Sequence, residues 1–136
     1  MSTRQQVLRF PPTLAGLANA AASLRALIGR EVNDDARYNL ELVFEEVAAN
    51  IVRHGHPTGD IEAAVRFDAD EIVLTFDDDG VAFDPREGPA RAVPSSLDEA
   101  PVGGLGLVLL RKIVTRMTYE RTAQKRNILT LAIPAR

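Results

Sequence analysis

The chain has 136 residues, enough for one ordinary domain and too few for a catalytic domain beside a separate regulatory one. Hydrophobic residues make up 46% and charged residues 26%, which excludes both a disordered chain and a membrane-embedded one. Sixteen Lys and Arg against nineteen Asp and Glu give a net charge of -3, of the wrong sign for nucleic acid as a main partner, and the lack of cysteine excludes a disulfide framework, a thiolate zinc site and a cysteine nucleophile. The opening residues hold no apolar signal segment, and no run of about 18 apolar residues follows, so a cytoplasmic protein without membrane contact is expected.

Residues Gln6 to Phe10 alternate and stop at Pro11-Pro12, the signature of a short strand ended by residues that cannot continue a ladder. Thr13 then caps a helix whose Leu14, Leu17, Ala21, Leu24 and Ile28 recur at helical spacing, with Gly29 at its end. Asn33-Asp34-Asp35 offers caps for a second helix, expected to run to about His54 with Gly55 as its terminator. Ile61, Ala63, Val65 and Phe67 alternate, as do Ile72, Leu74 and Phe76, and Ala69-Asp70 between them predicts a hairpin with one buried face. From Gly80 to Gly104, four prolines and no sustained periodicity predict a long functional or disordered loop. Leu105 to Arg116 returns to helical spacing, and two strands close the chain, Met117 to Thr122 and Asn127 to Ile133. The expected fold is α+β, a two-layer sandwich of a mixed, mostly antiparallel sheet with about three helices on one face, in a single domain over 1-136.

At about 100° per residue, Leu40, Val43, Val47 and Ile51 of the second helix fall within roughly 80° and define its buried stripe. Glu46 and Asn50 lie together at the edge of that stripe, whereas Glu41 and Glu45 point away. An amide oxygen four residues from a carboxylate suits a phosphate-bound Mg²⁺, with Asn50 as ligand and Glu46 taking a proton from an attacking hydroxyl. The same spacing also fits an ordinary Glu and Asn on a helix surface. Asp77-Asp78-Asp79-Gly80 ends a strand in three acids and a glycine; it lacks the alternate oxygens and closing Glu of an EF-hand. It reads either as a solvated turn or as an acceptor for an adenine amino group, with Gly80 admitting the base. Gly103-Gly104-Leu105-Gly106-Leu107 opens a helix and is neither a Walker loop nor a dinucleotide fingerprint. Its backbone N–H groups would bind phosphate, or it is only a flexible helix entry. His54, His56 and Ser95-Ser96 read as cap or surface residues, and no Ser-His-Asp triad can be assembled.

Taken in order, these segments resemble the ATP-binding domain shared by histidine kinases and gyrase, the Bergerat fold, and most closely its small bacterial branch, the anti-sigma factor serine/threonine kinases. Glu46-Val47-Ala48-Ala49-Asn50 through Arg53-His54-Gly55 is similar to that branch's N box. Asp78-Asp79-Gly80-Val81-Ala82-Phe83-Asp84-Pro85 is similar to its first glycine box, and Gly103 to Leu107 to its second. The resemblance implies that Asn50 coordinates Mg²⁺, Glu46 is the general base, Asp78 with Gly80 receives adenine, and Gly103, Gly104, Leu105, Gly106 and Leu107 form the phosphate box. It makes Thr130 of the last strand a further contact near the base, and residues 85-102 the ATP lid. It implies a protein that uses ATP and Mg²⁺ to phosphorylate a Ser or Thr of an antagonist protein, with a sigma factor or other regulator as binding partner and a homodimer as its assembly. A second reading of the same residues is a nucleotide-gated module that sequesters a regulator and transfers nothing.

Overall fold

A computed structural model describes residues 4–84 and 110–135. In chain order these form β1 (Arg4–Phe10), α1 (Leu14–Leu27), α2 (Asp34–Asn50), a π-helical turn (Ile51–Gly55), β2 (Ile61–Phe67), β3 (Glu71–Asp78), a helical segment over 110–113, β4 (Arg116–Arg121) and β5 (Asn127–Pro134). The sheet runs β1-β2-β3-β5-β4. Every pairing is antiparallel among the described residues, in keeping with the mostly antiparallel sheet that the sequence predicts.

The caps read from sequence are in place. Thr13 Oγ1 accepts from Gly16 N at 2.9 Å, and Asn33 Oδ1 accepts from Ala36 N at 2.8 Å, each satisfying a donor that the first helical turn leaves without a partner. Asp34 and Asp35 follow in the first turn of α2, where negative charge suits the helix dipole. Alternation sends one set of strand side chains to the helices. Ile61, Val65, Leu74, Phe76, Leu131 and Ile133 pack with Leu24, Leu40, Val43, Phe44 and Val47 in one core. Phe44 stands at its centre, with ring centroids 6.0 Å from Phe10 and 5.6 Å from Phe76. The opposite sheet face carries Val7, Ala64, Thr75, Thr130 and Thr118 in one row across five strands, with Arg9–Glu62 at 2.7 Å and Arg126–Asp77 at 2.6 Å beside it.

Two boundaries differ from expectation, and tertiary contacts explain both. The second helix does not continue regularly to His54: after Asn50 it widens into the π-helical turn, and His56 rather than Gly55 takes the left-handed conformation, at φ 48° and ψ 53°. The wider turn delivers the Gly55 carbonyl to Val81 N, which donates to it at 2.8 Å. The third helix ends at 113 rather than at Arg116. Thr115 donates to Ala132 O from its backbone N at 2.8 Å and from its hydroxyl at 3.1 Å, so that Arg116 already pairs with Ala132 in the sheet.

Candidate functional site

A cleft opens where the C-terminal end of α2 meets the ends of β3, β4 and β5. Three buried polar side chains, Asn50, Asp78 and Asn127, line it together with the apolar Val47, Ile51, Val81, Phe83 and Leu129 and with Tyr119. A cleft lined by apolar side chains and a few polar groups fits a flat, partly polar ligand such as a nucleobase.

Asn50 is 5% exposed, and its Nδ2 is the one buried side-chain nitrogen or oxygen without a hydrogen-bond partner among the described residues. Leaving a buried polar group unpaired costs roughly 1–3 kcal/mol, so such a group in the lining of a cleft fits a partner that arrives with a ligand. Glu46, one turn earlier, is half-buried on the same helix and lies outside the residues that line the cleft. Glu45 is exposed, and Glu41, half-buried like Glu46, pairs with Arg25 at 3.7 Å.

The three consecutive acids do three different things, because a strand turns alternate side chains to opposite faces. Asp77 looks to the open sheet face and binds Arg126 Nε at 2.6 Å, and this bond holds the Arg126 guanidinium even more firmly protonated. Asp78 is 4% exposed and faces the cleft. Its Oδ1 accepts from Gly80 N at 2.8 Å and from Asn127 Nδ2 at 3.1 Å. Asp79 turns outward and ties down the chain after the π-helical turn, accepting from Thr58 Oγ1 at 2.6 Å, from Thr58 N at 2.8 Å and from Gly59 N at 3.2 Å. The Thr58 hydroxyl, followed by Gly59 N, lowers its carboxyl below the usual carboxylate value. Gly80 cannot carry a side chain here. A Cβ would run into the carbonyl group of Gly55 and would lie 2.9 Å from Asp78 Oδ1.

Asn127 has no role in the sequence reading, yet it joins the whole arrangement. It is 5% exposed; its Nδ2 reaches Asp78 Oδ1, Val81 O at 2.9 Å and Gly80 O at 3.3 Å, while its Oδ1 accepts from the Tyr119 hydroxyl and from Arg121 at 3.0 Å. Arg121 also donates to Gly80 O at 2.7 Å, so the edge strand β4 helps to hold the glycine turn. A signal for Asn127 was present in the sequence: it shares its strand face with Leu129, Leu131 and Ile133, and an amide on the apolar side of a strand must find partners inside the fold. The same alternation corrects the expectation for Thr130. That side chain belongs to the open sheet face, between Thr75 and Thr118, and does not line the cleft.

The structure therefore brings Asn50, Asp78 and Gly80 together, with Glu46 one helical turn away and Thr130 on the other side of the sheet. Gly103, Gly104, Leu105, Gly106 and Leu107, together with the segment 85-102, lie outside the described residues. His54 is exposed and sets its ring near that of Phe83, tilted by 32° with centroids 6.5 Å apart. Among the described residues, no helix is long and apolar enough to cross a membrane.

Residues 10–133 match the model of the histidine kinase-like ATPase domain. Over 89 residues the chain is 36% identical to the serine/threonine-protein kinase BtrW of Bordetella bronchiseptica, a match that covers 62% of this chain and 62% of that relative.

Proposed function

This chain belongs to the histidine kinase-like ATPase domain family, and from that premise we propose that all 136 residues act as one ATP-dependent protein serine/threonine kinase domain that modifies a small antagonist protein. The observation that carries the proposal is the polar lining of the cleft. The Asn50 Nδ2, a buried donor without a partner among the described residues, and the buried Asp78 carboxylate, with Oδ1 already committed, line the same cleft among apolar side chains.

In this reading adenine enters among the apolar side chains and gives its amino hydrogen to Asp78. Gly80 N and Asn127 already hold Asp78 Oδ1, which fixes the carboxylate plane and leaves Oδ2 for the base. The absence of a side chain at Gly80 keeps the turn tight against Gly55. Asn50 would hold Mg²⁺ through its amide oxygen, and the fit is chemical: this cation takes oxygen ligands and often needs only one or two from protein when phosphate supplies others. When bound, the cation would neutralise charge on the phosphates. The glycine box from Gly103 to Leu107 would hold those phosphates through backbone N–H groups. Glu46 receives the proton of the acceptor Ser or Thr hydroxyl as that oxygen bonds to the γ-phosphorus and the bond to the ADP oxygen breaks. The acceptor is a protein, the phosphorylated and unphosphorylated forms bind differently, and a sigma factor or comparable regulator, together with a homodimeric assembly, completes the switch.

The test is to incubate the protein with Mg²⁺, ATP and the proteins it retains from its source lysate, and to search these for new phosphoserine or phosphothreonine by mass spectrometry. Wild type is expected to yield a modified protein, Glu46→Gln to bind ATP yet lose at least about a hundredfold in transfer rate, and Asn50→Ala to lose Mg²⁺-dependent activity. Undiminished transfer by Glu46→Gln would remove that residue as base. ATP-dependent retention without any modification would identify the sequestering module instead.

A further inference from the structure

We propose that the outward face of α2 from Asp34 to Glu46 is the seat of the phosphoacceptor, and that it selects an acceptor segment bearing Arg or Lys around an apolar side chain next to its Ser or Thr. The proposal deepens the kinase reading above and rests on it.

Most apolar side chains of α2 serve the core: Leu40, Val43, Phe44 and Val47 are all buried. Tyr38 is different. It is 66% exposed, the most exposed of the large hydrophobic side chains among the described residues. Leu42 follows one turn later and is only half-buried. An exposed aromatic with an aliphatic neighbour four residues on forms a small apolar centre, and tyrosine is enriched where proteins meet because it contributes a large apolar area at low entropic cost.

The rim of that centre is acidic. From 34 to 46 the helix holds Asp34, Asp35, Glu41, Glu45 and Glu46 against a single cation, Arg37. That cation is occupied within the fold, since its guanidinium donates to Ile28 O at 3.3 Å and to Gly29 O at 3.4 Å. Helix-end stabilisation accounts for Asp34 and Asp35, and Arg25 accounts for Glu41. Neither explanation reaches Glu45, which is exposed three turns into the helix. The face repels phosphate and acidic chains and attracts a basic one.

Position along the helix selects the occupant. Eight residues separate Tyr38 from Glu46, a rise of about 12 Å. An extended chain covers that span in about four residues, so a hydroxyl delivered to Glu46 brings its flanking side chains over Leu42 and Tyr38. A segment with a leucine-like residue about four positions from its hydroxyl, and arginines around it, fits both the apolar centre and the charge.

The test uses the intact protein and a synthetic peptide of about 15 residues with one serine, a leucine about four residues from it and flanking arginines, compared with a peptide whose arginines are replaced by glutamate. Backbone amide resonances of Tyr38, Leu42 and Glu45 should shift with the arginine peptide and stay unmoved by the glutamate one. A Tyr38→Ala, Glu45→Lys variant should bind the arginine peptide about tenfold more weakly. Its affinity for ATP should match wild type, which also shows that the variant is folded. Shifts confined to other surfaces, equal shifts with both peptides, or unchanged affinity in the variant would each overturn the proposal. Phosphorylation of the peptide by wild type is read separately. Seating at Tyr38 without transfer defeats the kinase reading and leaves the seat, whereas transfer that the variant performs equally well at low peptide concentration leaves the kinase and defeats the seat.

Discussion

Asn50 shows a single residue held in a state that folding alone would not choose. Its buried Nδ2 has no partner among the described residues, at a cost of roughly 1–3 kcal/mol, and an apolar replacement of similar size removes that cost. Asn50→Leu is therefore expected to raise the free energy of unfolding by about 1 kcal/mol while abolishing Mg²⁺-dependent nucleotide binding, to be read by urea denaturation and by titration with a fluorescent ATP analogue. A variant that is less stable and still binds would show that the amide has an internal partner. Asp79 gives a pH-dependent counterpart. The Thr58 hydroxyl and Gly59 N hold its carboxyl below the ordinary carboxylate range, so it binds fewer protons folded than unfolded. Its tie is fully present above the unfolded value and is lost as pH falls through the lowered one. The amide resonances of Thr58 and Gly59 should hold steady down to about pH 4 and move only below it, and Asp79→Asn should remove that titration. Movement centred near neutral pH would assign the tie to another group.

At the scale of elements, the end of α2 and the end of β3 behave as one unit. The π-helical turn presents the Gly55 carbonyl to Val81 N, Gly80 packs against it, and Asn127 and Arg121 bind the same turn from the β4-β5 side. An added methyl at Gly80 meets backbone rather than a flexible side chain, so it forces the two elements apart. Gly80→Ala is expected to cost about 1–3 kcal/mol in stability and to abolish nucleotide binding, because Asp78 and Asn50 sit on the two elements that separate. Gly59→Ala is the control: among the described residues its Cβ would find only Asp79 Oδ2, at 3.4 Å, and a change within about 0.5 kcal/mol is expected with binding intact. Thermal unfolding and nucleotide titration of the pair decide the matter, and equal behaviour of the two variants would contradict the coupling. Much of this was legible in advance. Thr13 is readable as a cap, and Asn33 as one of three adjacent candidates, because a cap is a local device, one side chain satisfying an N–H three residues away. The π-helical turn is not, since its cause lies at Gly80 and Val81, some 25 residues along the chain.

For the whole molecule, one core under Phe44 supports both the helices and the sheet ends that form the cleft, so ligand binding and global stability are linked. A ligand at about a hundredfold over its Kd stabilises the native state by roughly 2.7 kcal/mol, which for a chain of this size raises Tm by several degrees. MgATP should produce that rise in wild type, chelation of Mg²⁺ should remove most of it, and Asn50→Leu should show none with or without chelator. A rise indifferent to chelation would separate ATP binding from the cation.

Features that depend on neighbours along the chain are written in the residue order alone. The helical and strand periods, the caps, the α+β class, and the candidates Glu46, Asn50, Asp78 and Gly80 with their family resemblance all follow from residue types at short spacings. The meeting of Asp78 with Asn127 across the sheet, and a buried Asn50 Nδ2 without a partner among the described residues, belong to the tertiary structure. The physical reason is that burial and hydrogen bonding are properties of what lies across the sheet. Asp78 and Asn127 are 49 residues apart, and only the antiparallel pairing of β3 with β5 makes them neighbours.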